Sequence, residues 1–211
     1  ERILKACPLS PHARSYGWET LGGYYRDQNR SPRALNAYKQ ALEADPKNPR
    51  HWNAVGTLYR NAGQNRAAIG YFQTAVDLNP EVAETHSNMG NAYHGLGEFQ
   101  KAIDHYRKAI HLNPGMAEAY SNAGNAFLGL RRPETTVEYL LKAIALKPDL
   151  TQAHFNLGKA YFGLGRYGAA IEPLQKAVAF KPDLIEAYHN LGAAYHNLNQ
   201  PEKTKTYFRK V

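Results

Sequence analysis

What this 211-residue chain lacks narrows its class before any motif is read. Its single cysteine, Cys7, excludes an internal disulfide, so no covalent staple holds the fold. No apolar run approaches the ~18 residues that a membrane-crossing helix needs, and 21% of residues are charged. No secretory signal is visible, which leaves the compartment open with the cytoplasm as the default expectation. Serine and cysteine nucleophile patterns are missing, as is any acid pair in a recognisable setting, so neither catalysis nor a cofactor is expected. Nine histidines are present. His189 and His196 share a helix face and His94 sits in register with His196, but no cysteine or paired carboxylate gives the set a ligand spacing, and no metal is expected.

What is there is a period. Pro46, Pro80, Pro114, Pro148 and Pro182 each fall 34 residues after the last. Gly22, Gly56, Gly90, Gly124, Gly158 and Gly192 keep that step, as do Tyr25, Tyr59, Tyr93, Phe127, Tyr161 and Tyr195. A fixed period of this length marks stacked supersecondary units, each packing on its neighbours rather than around one central core. The repeats run 15–48, 49–82, 83–116, 117–150 and 151–184, with a partial unit at 185–211. Residues 1–14 precede them. Stepping the period back from Tyr38 and Ala41 reaches Leu4 and Cys7, so residues 1–7 read either as the end of a preceding unit's second helix or as a loose arm. Both ends are expected to be cut through a repeat.

Each unit carries two helical patterns. In the third, Met89, Tyr93 and Leu96 recur at spacings of four and three, and Ala102, Ile103, Tyr106, Ala109 and Ile110 resume the stripe after Gly97. Pro32, Pro133 and Pro201 stand where second helices start, a place where the missing amide hydrogen is not needed, and Ser31 is expected to cap the first of these. Pro173 lies inside a second helix and predicts a kink. Gly90 and its equivalents are expected where the two helices cross, with Ala102 facing the gap and Tyr93 and Tyr106 filling it; a bulky side chain there would cost about 1–3 kcal/mol. The fourth unit replaces the alanine with Thr136 and the aromatic with Leu140, so looser packing is expected. Gly163 to Gly168 matches a dinucleotide fingerprint, yet it joins two helices rather than a strand and a helix and reads as a turn.

A formal charge of +8 invites a nucleic-acid reading, which the charge pattern weakens. Asp104–Lys108, Glu138–Lys142 and Glu172–Lys176 place opposite charges side by side on exposed helix faces. An arginine excess remains at Arg26, Arg30, Arg33, Arg50, Arg60 and Arg66. It would steer an acidic partner.

Trp18, Leu21, Gly22 and Tyr25, followed by Ala34, Tyr38 and Pro46, match the pattern W-x2-L-G-x2-Y, A-x3-F, P, and Trp52, Gly56, Tyr59, Ala68, Phe72 and Pro80 repeat it. Residues 15–211 therefore resemble the tetratricopeptide repeat family. The resemblance implies an all-α, right-handed superhelical solenoid of antiparallel helix pairs. First helices would line a concave groove for protein or extended peptide, through the second, fifth, sixth, ninth and twelfth positions of each unit. The sixth positions then supply Asn88, Asn122, Asn156 and Asn190, and the ninth add Asn91 and Asn125. An asparagine amide offers a donor and an acceptor together, so a ladder of them would hold peptide backbone with weak sequence preference. This resembles the asparagine ladder in the repeat arm of O-linked N-acetylglucosamine transferase. Arg26, Arg50 and Arg60 would charge the start of the groove, and Phe155 and Phe162 would make its end aromatic. The lysines of a carboxylate clamp are absent from the fifth positions.

The function expected is a non-catalytic scaffold or adaptor binding a protein or peptide in the groove. The alternative is the substrate-recruiting arm of a larger enzyme such as a glycosyltransferase. Self-association through apolar terminal helix faces is a further expectation, and nucleic-acid binding is not expected.

Overall fold

A computed structural model describes residues 10–211 as twelve α-helices, with no strand among them. They are α1 (Pro11–Asp27), α2 (Ser31–Ala44), α3 (Pro49–Asn61), α4 (Asn65–Leu78), α5 (Ala83–Gly95), α6 (Phe99–Leu112), α7 (Ala117–Gly129), α8 (Pro133–Leu146), α9 (Thr151–Gly163), α10 (Tyr167–Phe180), α11 (Ile185–Asn197) and α12 (Pro201–Phe208). The chain divides into two compact units, Glu1–Glu98 and Phe99–Val211. The reading of residues 1–7 as a helix end lies outside the described residues. No helix among the described residues is long and apolar enough to cross a membrane.

Within each repeat a short turn follows the first helix, and one backbone device recurs in all six. The fifteenth residue of each repeat, Asn29, Gly63, Gly97, Arg131, Gly165 and Asn199, has a φ between 53° and 75°. That left-handed conformation ends the first helix and lets the next amide reach back five residues: Glu98 N donates to Tyr93 O at 3.0 Å, and Gln64 N to Tyr59 O at 2.9 Å. Glycine and asparagine take it cheaply, whereas Arg131 holds it against its own Cβ. The turn also corrects the expected cap at Ser31. Because Asn29 reverses the chain one residue sooner, Arg30 occupies the cap position without a side-chain bond and Ser31 is already helical.

Between repeats the chain is fixed from two directions. Asn79 and Asn113 accept from the amides of Glu81 and Gly115, both at 3.1 Å, closing a side-chain turn around Pro80 and Pro114. The ring at the fourth position then reaches back. Trp52 Nε1 donates to Pro46 O at 2.8 Å, and His86 and His154 replace it through Nε2 on Pro80 O and Pro148 O at 2.9 and 2.8 Å. A carbonyl only accepts, so both histidines carry hydrogen on Nε2. They are buried, packed rings.

Gly22, Gly56, Gly124, Gly158 and Gly192 each meet the ring or branched side chain at the twenty-fourth position of their repeat rather than the alanine. A Cβ on Gly56 would lie 2.7 Å from the Phe72 ring, and on Gly124 2.9 Å from Leu140. The alanines Ala34, Ala68, Ala102 and Ala170 are fully buried. The expected looseness of the fourth unit is not found: Thr136 and Leu140 are wholly buried, and the threonine hydroxyl donates to Arg132 O at 3.0 Å, so the added polar atom is satisfied within its own helix. α10 runs without interruption through Pro173 to Phe180.

Candidate functional site

Side chains at the groove positions gather into one recess in each compact unit. In the first, α1, α3 and α5 wall a cavity of about 640 Å³ lined by Glu19, Arg26, Arg50, Asn53, Thr57 and Glu84 among others. Arg26 lies 3.1 Å from Asp27, and that hydrogen bond, with the Tyr38 hydroxyl next in weight, holds its guanidinium pKa above the usual value. Arg50 and Glu84 are exposed. Arg60 turns aside from the recess lining to donate to Asn61 Oδ1 at 3.1 Å. Asn88 donates through Nδ2 to Asn53 Oδ1 at 3.2 Å, so the two amides stand side by side.

The second recess, about 440 Å³, is lined by Phe155, Lys159, Ile185, Glu186, His189, Asn190 and Val211. Asn190 is half-buried at its wall. Phe155 differs from the expectation of a ring open to a ligand: it is 5% exposed, because it belongs to the cluster formed with Leu174, Leu191 and Tyr195. Lys159 Nζ covers its face at 5.4 Å from the ring centre. Phe162 is half-buried and meets Tyr167 edge-on at 5.0 Å. It is outside the lining of this recess.

The asparagines occupy their expected register but not one common environment. Asn91, Asn122 and Asn125 are half-buried. Asn156 is 1% exposed, its Oδ1 accepting from Gln152 Nε2 at 3.1 Å while its Nδ2 has no partner. Asn88 and Asn190, in the same register, are only half-buried.

One cluster at the edge of the first recess was not anticipated. His51 is fully buried, with Nδ1 3.2 Å from Asp45 O and Nε2 within 3.3–3.4 Å of Ser15 Oγ, Asn48 Nδ2 and Glu19 Oε2. Asn48 Oδ1 accepts from Arg50 N at 3.1 Å, so the cluster ties the recess wall to the start of α3. A column comparison carries the signal, since the third position elsewhere holds Gly17, Thr85, Ala119, Ala153 and Ala187. No group of three histidine, cysteine or acidic side chains suited to a metal ion occurs among the described residues.

Comparison with known proteins follows this geometry. Models of the tetratricopeptide repeat match residues 16–48, 37–70, 83–116 and 117–150, and a further TPR repeat model matches 56–97 and 160–199. A crystal structure of MamA is 30% identical, covering 77% of this chain and 95% of that one, with a TM-score of 0.69. PilF of Pseudomonas aeruginosa is 15% identical over 94% of this chain and 90% of its own, with a TM-score of 0.84. YrrB, described as a TPR protein with an unusual peptide-binding site, is 20% identical over 83% and 91%, with a TM-score of 0.70. Comparison with curated protein sequences returns no significant match.

Proposed function

Because the chain belongs to the tetratricopeptide repeat family, we propose that it acts as a non-catalytic scaffold that holds an extended segment of a partner protein in the recess walled by α1, α3 and α5. The observation that carries this is the Asn53–Asn88 amide pair. Their mutual bond uses one donor and one acceptor, leaving Asn53 Nδ2 and Asn88 Oδ1 without partners among the described residues. A donor and an acceptor side by side match the C=O and N–H of one peptide unit, which every extended backbone presents. Arg26, Arg50, Glu19 and Glu84 around them select side chains by charge, so sequence preference comes from the rim and affinity from the backbone.

The test is a peptide array probed with the intact chain, followed by fluorescence anisotropy on the strongest binder. Replacing Asn53 and Asn88 together by alanine weakens that peptide by about 0.5–1.5 kcal/mol per lost hydrogen bond. An unchanged dissociation constant in the double variant would remove this recess from the account.

A further inference from the structure

Outside the groove, alternate repeats treat one position differently. The second, fourth and sixth units carry tyrosine at their twenty-third position, and it packs between the rings at the fourth and eleventh. Tyr71 stands 5.9 Å from Trp52 and 5.0 Å from Tyr59; Tyr139 is 6.1 Å from Tyr120 and 5.0 Å from Phe127; Tyr207 is 6.4 Å from Tyr188 and 5.3 Å from Tyr195. For two of these the preceding unit's twenty-fifth residue donates to the phenol: Arg107 Nε to Tyr139 and Gln175 Nε2 to Tyr207, both at 3.3 Å.

In the fifth unit Pro173 stands in place of that tyrosine, and the donor position of the unit before it holds Leu141. The fifth unit's fourth and eleventh rings, His154 and Tyr161, remain. Together these four border an open pocket of about 300 Å³, with the Glu172–Lys176 ion pair, 2.9 Å apart, at its mouth. None of its lining residues stands at a groove position.

We infer that this pocket receives a phenylalanine side chain from a partner polypeptide, in the place where neighbouring units seat their own tyrosine. Three features choose the occupant. The surrounding positions are those that hold an aromatic ring three times elsewhere in the same chain. Leu141, 47% exposed, offers hydrocarbon where Arg107 and Gln175 offer N–H, so a phenol oxygen would lose the donor that Tyr139 and Tyr207 have and an unsubstituted ring fits better. The carboxylate and ammonium at the mouth, one helical turn apart, complement the N–H and C=O that flank a side chain on an incoming backbone.

N-acetylphenylalanine methylamide and its tyrosine counterpart, titrated into the intact chain with methyl NMR of Leu141 and Leu157, test this. The phenylalanine compound is expected to shift both methyl signals, with the tyrosine compound about five-fold weaker. Pro173→Tyr fills the pocket from within and abolishes the shifts, while Leu141→Gln restores a donor and removes or reverses the preference. Equal binding of the two compounds, no shift at either leucine, or shifts that persist in Pro173→Tyr would each overturn the inference. If Pro173→Tyr fails to fold, the exposed Leu141→Gln decides alone, and an unaltered preference in it overturns the inference.

Discussion

The two recesses share a repeat register and differ in what their walls are made of. In the first, Arg50 and Glu84 are exposed and Asn53 is half-buried, beside a single buried ring, Tyr38. In the second, Phe155 is at once recess wall and core, held against Leu174, Leu191 and Tyr195. The same position along a repeat therefore holds a half-buried amide, Asn53, in one recess and a core ring, Phe155, in the other. A loss of binding on mutation means different things in the two places.

The sharpest way to break this comparison is to truncate one wall residue on each side. Phe155→Ala is expected to cost about 3–5 kcal/mol of unfolding free energy, the range for a buried aromatic, whereas Arg50→Ala stays within about 0.5 kcal/mol. Chemical denaturation of both variants checks it, and similar losses would mean that the first recess is also built from core. A smaller effect probes the helix crossing beneath the groove. Gly56→Ala brings a methyl group to 2.7 Å of the Phe72 ring, which is fully buried and cannot swing aside, for an expected cost of about 1–3 kcal/mol. A thermal melt unchanged from the parent would show that the rings in the first unit have more room than their burial implies.

The smallest effect is on pH dependence and rests on His94 in the first unit. Burial holds the His94 pKa below its ordinary value. The unfolded chain then binds the proton more readily than the native one, so this contribution is present above the usual histidine pKa of about 6.5 and is lost as pH falls through that value towards the lowered one. Melts at pH 7.5 and 5.5 should show a drop that His94→Gln reduces. A drop of equal size in the variant would assign the acid sensitivity elsewhere.

Much of the fold was legible before any coordinates. The 34-residue step located the helices, the proline starts of α2, α8 and α12, and the turn at Gly97, because backbone chemistry acts locally and repeats with the sequence. What stayed hidden were contacts that cross the period. His51 reaches back to Ser15 and Glu19, 36 and 32 residues earlier, and no local signal announces them. Nor does any local pattern reveal that Asn88 finds Asn53, 35 residues earlier.

By itself, then, the sequence determined the repeat, the antiparallel helix pair and the face on which each side chain stands, since helical periodicity and turn stereochemistry depend only on neighbours along the chain. Tertiary structure alone decided which side chains on that face remain available. Exposure depends on how far the residues of the adjoining repeat reach, and that leaves Arg50 and Glu84 exposed in the recess of α1, α3 and α5 while Phe155 is buried in the wall of the other. It also decided that Pro173 leaves a ring-sized opening between His154 and Tyr161, because only packing shows that other units fill that place from within.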